Sequence, residues 1–336
     1  MKKTVSFSRS AANLFFHILT RCNLSCRHCY INPEQHGRRT LSLDTIIAWL
    51  TEFRKHCQKA NVVFLGGEPT LHPELPAAVA RARQLGFSSV TIDTNGYLFH
   101  DILERVSPGD VDFFSFSLDG ATPATNDPIR GAGSFTRCTE GLRRARAAGF
   151  QTSLIFTVSR LNIDELERMV ALVVDLKIER LFIQVIGLRG QSARPGGDDT
   201  HRERLQIGRH QWQQSIPLAA ARAARHGLTV VYPKVYLDPD EPFECAGRVA
   251  DNYFVFPNGR VYRCPLCEDH PLHSFEMRDN RLVRRRTITE SNLFELTIPE
   301  GCVMNKLVQP GNIAYDASGR PLDRIACCLL KEEITA

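Results

Sequence analysis

Six times between Leu14 and Ile186 a short run of aliphatic, β-branched or aromatic residues gives way to a longer stretch with apolar residues at helical spacing. That alternation admits few architectures, because it calls for βα units on a parallel sheet. The short runs fall at residues 14–19, 61–65, 89–93, 111–118, 152–158 and 181–186. After the first, Ser42 stands where a helix cap is needed, and Leu43, Ile46, Ile47, Leu50, Phe53 and Cys57 recur with helical period. Further helices are expected over 74–85 with Gly86 as a left-handed cap, over 134–148 closing at Gly149, around Leu166, Met169, Val170 and Val173, and over 210–226. Cys57 and Cys138 fall on such helices and read as packing residues. Several strands end in small or polar residues, and in a βα barrel that rim is where ligand contacts collect.

The first strand ends in Cys22, Cys26 and Cys29, spaced C-x3-C-x2-C. Three thiolates on one loop hold three irons of a cubane cluster and leave the fourth without a protein ligand. A structural zinc site needs four closely supplied ligands, and His28, between two of the cysteines, can hardly reach the same ion. The loop resembles the C-x3-C-x-Φ-C motif of the radical SAM superfamily, with His28 in the aromatic position. The resemblance implies that S-adenosylmethionine chelates the free iron through its amino and carboxylate groups, with His28 against the adenine. It continues in order. Gly66-Gly67-Glu68-Pro69 is similar to the family's GGEP motif, which holds the methionine amine, and Glu68 would support that loop or the amine. Thr94-Asn95-Gly96 and Ser117-Leu118-Asp119-Gly120 resemble strand ends of the SPASM and Twitch branch, where the serine matching Ser117 contacts the cofactor. Asp127-Pro128-Ile129-Arg130-Gly131 is similar to the pattern whose arginine pairs with the SAM carboxylate. On the residues alone, Gly66 and Gly67 make a tight turn, Ser117 and Asp119 a turn and helix cap, and Arg130 an exposed loop residue. The implied fold is α/β, an open partial (β/α)6 barrel over residues 1–232, with a small cysteine-rich α+β extension over 233–336.

From Pro233 the alternation stops and prolines, turns and cysteines take over. Pro257-Asn258-Gly259 joins two β-like runs as a hairpin, which folds Cys264 back beside Cys245. Cys245, Gly259 and Cys264, C-x13-G-x4-C, resemble the opening of a SPASM or Twitch extension carrying auxiliary [4Fe–4S] clusters. The C-x2-C-x5-C-x3-C continuation of a full SPASM domain is missing, which favours one auxiliary cluster. Its ligands would be Cys245, Cys264 and two of Cys267, Cys302, Cys327 and Cys328. Cys267 and Cys302 lead, since adjacent cysteines seldom ligate one cluster together. A zinc ribbon built on Cys264, Cys267 and two later cysteines is the competing reading.

Eleven cysteines with neither a secretory signal nor a membrane segment indicate reduced thiols and a cytoplasmic setting. A net charge of +5 is mild. The basic runs at 281–286 and at Arg143, Arg144 and Arg146 lack interleaved aromatics, so they read as solvated faces rather than a nucleic-acid site. The resemblance implies reductive cleavage of S-adenosylmethionine to a 5′-deoxyadenosyl radical, driven by a flavodoxin or ferredoxin. That radical would take hydrogen from a peptide or a small molecule, such as a tetrapyrrole or sugar, with the auxiliary cluster assisting the oxidation. The short segment before the first strand is too small for a leader-peptide recognition domain, so a peptide substrate would need a separate partner or none. The Gly- and Arg-rich loop from Gly187 to about Arg204 reads equally as a cover for the substrate or as a disordered, solvated loop. No catalytic acid or base stands out, although Asp119, Glu244, Tyr315 and Asp323 are available. The rival readings are a non-catalytic iron–sulfur protein for electron transfer or sensing, and an adapter with a zinc-binding tail.

Overall fold

The computed structural model describes residues 2–5, 11–57, 59–97, 99, 101–193 and 205–336. Among them a single sheet of thirteen strands organises the chain: β1 Lys2–Val5, β2 Ala12–Leu19, β3 Ala60–Gly66, β4 Ser89–Thr94, β5 Phe113–Ser117, β6 Thr152–Val158, β7 Arg180–Val185, β8 Thr229–Pro233, β9 Asn252–Val255, β10 Arg260–Tyr262, β11 Phe275–Arg278, β12 Arg281–Arg284 and β13 Lys331–Ile334. The strand order is β1-β13-β8-β7-β6-β5-β4-β3-β2-β9-β10-β11-β12, so the sheet is open, with β1 and β12 at its edges. The six strands expected from the sequence are β2 to β7, in order and parallel. Parallel pairing runs one strand further on each side, to β8 and β9.

Strand alternation sorts the sheet into two faces. Leu14, Phe16, Val62, Phe64, Val90, Ile92, Phe114 and Phe116 are buried in one apolar cluster with Ile46, Leu50, Val79, Leu142 and Ala145 of the covering helices. The opposite face mixes the polar residues Asn13, His17, Asp93, Ser115 and Ser117 with the apolar Phe15, Val63 and Leu65. The helix Leu43–His56 begins where expected, with Ser42 Oγ accepting from Thr45 N at 3.3 Å.

The strand β8 ends at Pro233. Beyond it the chain returns to both flanks of the sheet. β9 lies alongside β2, fixed by Asn13 Nδ2 donating to Asn252 Oδ1 at 3.0 Å, and β13 lies antiparallel to β8. Gly259, with φ +90°, closes the β9–β10 hairpin. A second apolar cluster holds Ile31, Phe256, Tyr262, Leu266, Cys267, Cys302 and Met304, with Cys264 and Cys328 packed against it. The expected loop after Gly187 opens with a turn at Gly190–Ala193, and its residues 194–204 lie outside the described residues. No described helix is long and apolar enough to cross a membrane.

Candidate active site

The end of β2 delivers the loop with Cys22, Cys26 and Cys29, and the Gly66-Gly67-Glu68 segment clamps its base. Gly67 N donates to Leu19 O and Glu68 N to Arg21 O, each at 3.0 Å. A Cβ at Gly66 would stand 2.2 Å from Leu19 O, and one at Gly67 2.1 Å from Arg21 O. The glycines are therefore required by close approach to the cysteine loop's own backbone. Glu68 is fully committed inside the chain. Its carboxylate accepts from Thr70 N at 3.1 Å, Thr70 Oγ1 at 2.7 Å, Thr94 Oγ1 at 2.8 Å and Asn95 N at 2.7 Å. Burial raises its pKa, against the pull of those four bonds. Asn95, thus positioned, reaches the loop: its Nδ2 lies 3.0 Å from Asn23 Oδ1 and 3.6 Å from Cys22 Sγ. Asn23 Nδ2 is buried and has no partner among the described residues.

Asp119 is the hub of the site. Its Oδ2 lies 2.6 Å from Arg130 Nε and 3.0 Å from His28 Nε2, while Oδ1 accepts from Thr157 N at 2.9 Å. Burial alone would raise the Asp119 pKa, yet Arg130, and after it His28, hold it well below the usual carboxylate range. Two sequence expectations are corrected here. Arg130 is not an exposed loop residue: it is buried in the last turn of the helix Pro123–Arg130. Asp119 is not simply a helix cap, since it binds three separate segments. Asp127, inside the helix Pro123–Arg130, instead ties the start of the next one, Ser134–Ala147, accepting from Gly133 N at 2.7 Å and Phe135 N at 2.9 Å. Cys26 Sγ lies 3.7 Å from Arg130 O, and Arg27 N donates to Ile129 O at 2.9 Å, so the cysteine loop and the arginine form one unit. Ser117 ends β5, two residues before Asp119.

The structure brings Cys22, Cys26, Cys29, His28, Gly66, Gly67, Glu68, Asp119 and Arg130 to one rim of the barrel. Of the other acids and phenol that the sequence left available, Tyr315 donates to Glu300 Oε1 at 2.8 Å and Asp323 pairs with Arg209 at 2.6 Å. Sequence reasoning passed over Asn95 as a contact and Asp93 altogether. Asp93 faces the barrel interior opposite Ser115. Burial pushes its pKa up to about 7, against a Ser115 hydrogen bond and with the Glu68 charge adding to the rise. In the unfolded chain it titrates near 3.9, so the native state binds its proton more tightly. The Asp93 contribution to stability is therefore fully present below about pH 4 and is lost as pH rises towards 7. Asp93→Asn is expected to be more stable than wild type at pH 8, by on the order of 2–4 kcal/mol, with the gain vanishing near pH 4. Urea unfolding at the two pH values measures it.

The later cysteines gather at a second place. Cys245, Cys264, Cys302, Cys327 and Cys328 line one pocket together with Phe243, Leu293 and Met304. Cys267 stands beside this set: it is fully buried, its thiol hydrogen-bonds that of Cys264, and it does not line the pocket. Burial, with Cys327 and Cys264 nearby, pushes the Cys245 thiol up to about 12. Glu290 braces the turn, accepting from Arg263 N at 2.6 Å, Cys264 N at 3.0 Å and Ser274 N at 3.2 Å. Nothing in its local sequence signals that role. Among the described residues, no three of His, Cys, Asp and Glu stand close enough together to hold a single metal ion.

Comparison with known proteins places this arrangement. Residues 16–173 match the Radical SAM superfamily. The PqqA peptide cyclase of Gluconobacter oxydans (strain 621H) is 30% identical over 263 residues, which cover 77% of this chain and 71% of that protein. A probable GTP 3′,8-cyclase of Saccharolobus islandicus (strain L.S.2.15 / Lassen #1) is 28% identical, covering 79% of this chain and 86% of its own length. Among solved structures, Streptococcus suis SuiB bound to S-adenosylmethionine shares the fold with a TM-score of 0.62 at 13% identity. That alignment covers 77% of this chain, which spans 61% of the SuiB chain. The open parallel sheet, the cysteine loop at the end of its first barrel strand and the extent of these matches lead to one assignment: the chain belongs to the radical SAM superfamily.

Proposed function

We propose that this chain is a radical SAM enzyme that removes hydrogen from an unactivated carbon of a peptide and passes the surplus electron to a second iron–sulfur cluster. The observation that carries this reading is the joining of the three-cysteine loop to Arg130 and His28 through one buried carboxylate, Asp119. The residues present fit the family's [4Fe–4S] cluster and S-adenosylmethionine: three thiols on one loop, a buried guanidinium, and the partnerless Asn23 amide beside Cys22. When bound, that pair supplies one-electron cleavage of a C–S bond and hydrogen-atom removal from carbon.

The chain's own residues do the rest. Cys22, Cys26 and Cys29 hold three irons. Arg130, fixed at Nε by Asp119, takes the carboxylate of S-adenosylmethionine, a planar partner for a planar guanidinium. Asp119 also holds the His28 ring by Nε2, orienting it towards the adenine, and Ser117 contacts the cofactor from the end of β5. Gly66 and Gly67 let the neighbouring strand close against the cysteine loop, and Glu68 acts through that loop rather than on the amine. Residues 1–232 form the SAM-binding barrel and 233–336 the auxiliary extension. There Cys245, Cys264, Cys302 and one of Cys327 and Cys328 ligate the second cluster, with Cys267 as a packed neighbour. A flavodoxin- or ferredoxin-type donor provides electrons, and a reducing cytoplasm suits the eleven free cysteines.

A peptide is favoured because one relative is a PqqA peptide cyclase and because SuiB, which shares the fold, has been solved with its precursor peptide SuiA. The GTP 3′,8-cyclase relatives favour a nucleotide as the second reading. The test is anaerobic incubation of the reconstituted, reduced chain with S-adenosylmethionine and, separately, PqqA, SuiA or GTP. The expected result is about eight irons per chain and 5′-deoxyadenosine formation stimulated by a peptide that leaves two hydrogens lighter. Stimulation by GTP alone supports the nucleotide reading, and about four irons accompanied by zinc supports the adapter.

A further inference from the structure

The short segment after β7 is bonded to both cysteine sites at once. On one side Gln191 N donates to Cys29 O at 2.8 Å, and the Arg189 guanidinium lies over the Tyr30 ring, 4.9 Å from its centroid. On the other side Arg189 Nη1 donates to Pro265 O at 2.5 Å and to Glu268 Oε2 at 2.9 Å. Those two acceptors bracket the turn Pro265–Cys267, which begins directly after Cys264. Gly190 N donates to Asp269 Oδ2 at 2.6 Å, and Asn32 Nδ2, just past the first cysteine loop, donates to Oδ1 of the same carboxylate at 3.1 Å. Leu188 N donates to Val308 O at 2.8 Å, at the end of the helix Val303–Val308 that follows Cys302. The approach is as close as the backbone permits: Gly190 has φ +56°, and a Cβ there would stand 2.3 Å from Cys29 O.

We propose that Arg189 is a positioning residue that ties the Cys22, Cys26 and Cys29 loop to the Cys264 turn, so that binding of S-adenosylmethionine at the first site alters the second. The proposal rests on the second pocket holding an auxiliary cluster. Arginine suits the place because one planar head must stack on a ring while donating to both a carbonyl and a carboxylate. The Glu268 side chain is 3% exposed and that of Arg189 23%, so their bond is little weakened by solvent and neither end can shift alone. Coupling of this kind is reciprocal: if the cofactor changes the auxiliary site, occupancy of the auxiliary site changes cofactor affinity by the same factor.

The experiment uses the full chain reconstituted with iron and sulfide, reduced, and read by electron paramagnetic resonance with and without S-adenosylmethionine. In wild type, the cofactor is expected to change the signals of both clusters. In Arg189→Gln, with iron still at about eight per chain, the change at the first cluster persists and that at the auxiliary cluster is lost. Removing the auxiliary cluster by Cys264→Ala should change cofactor affinity about fivefold or more in wild type and not in the Arg189→Gln background. Arg189→Lys, which keeps the charge and N–H donors but not the planar fork, should restore part of the auxiliary response. If Arg189→Gln fails to take up iron, Asp269→Asn loosens the same segment without leaving Glu268 unpaired and carries the same expectation. A count of about eight irons with an auxiliary response that is absent in wild type, or unchanged in Arg189→Gln, overturns the coupling alone. A wild-type count of about four overturns the auxiliary cluster and the coupling with it.

Discussion

Cys26→Ala should make no measurable 5′-deoxyadenosine, a loss of at least about a thousandfold, and should take up about four irons where wild type takes about eight. Cys26 is the middle thiol of the loop and the one tied to the arginine segment, with Sγ 3.7 Å from Arg130 O. Two thiolates cannot hold three irons, so the cluster that leaves an iron open is lost, while the second pocket, built from other cysteines, is untouched. Burial raises the Cys26 thiol pKa, with Arg130 pulling the other way, so in the metal-free chain the thiol keeps its proton at neutral pH. Cluster assembly must displace that proton, and iron uptake should accordingly be faster at pH 8.5 than at pH 7. Cys57→Ser is the matched control, because Cys57 caps the C-terminal end of the helix Leu43–His56 and belongs to neither the Cys22–Cys29 loop nor the second pocket. Iron counting and chromatographic assay of 5′-deoxyadenosine separate the outcomes. Full activity in Cys26→Ala would sink the assignment of this loop, and lost activity in Cys57→Ser would mean that the assay reports general damage.

The barrel was readable because its strands are short runs rich in aliphatic, β-branched and aromatic residues, whose alternation of buried and less buried positions survives in β2 to β4. The Ser42 cap was equally local and is realised by its bond to Thr45 N. What escaped the sequence is non-local or polar. β1 and β13 pair across nearly the whole chain, and Lys331-Glu332-Glu333-Ile334 carries no strand pattern strong enough to announce that pairing. The basic run beginning at Arg281 contains β12, an edge strand, and its signal was the preceding Asp279-Asn280, both at positive φ as a tight hairpin turn requires. Pro128 hid the helix Pro123–Arg130, since a proline inside a helical stretch ordinarily marks its end. The three cysteines and the glycine segment were legible as a site because they are contiguous. The second pocket was only half legible, because Cys327 and Cys328 reach it just before the chain turns into β13.

Asp119 shows how far such a non-local hub matters, and Asp119→Ala should be the most destabilising single substitution at the rim. The Arg130 side chain is 10% exposed and that of Asp119 1%, so alanine leaves a buried guanidinium without its counter-charge. Breaking a buried pair from one side costs about 3–5 kcal/mol, and the Thr157 amide loses its acceptor as well, at about 1 kcal/mol or more. Asp119→Asn should fall between, because its carbonyl can still accept from Thr157 N while the charge is gone. The pH dependence identifies the cause. The native pKa of Asp119 is depressed, so its contribution is present above the ordinary carboxylate value and is lost as pH falls through and below about 4. The stability gap between wild type and Asp119→Asn should therefore be widest near pH 7 and narrow on acidification below pH 4. Cofactor binding supplies a second readout: with neither Arg130 nor His28 held, affinity for S-adenosylmethionine should fall about tenfold or more in Asp119→Asn, at unchanged iron content in the first cluster. Urea unfolding across pH and equilibrium binding of S-adenosylmethionine test the two halves separately. A gap that does not change with pH would show that Asp119 acts by shape rather than charge. Unchanged affinity would show that Arg130 and His28 hold their places without it.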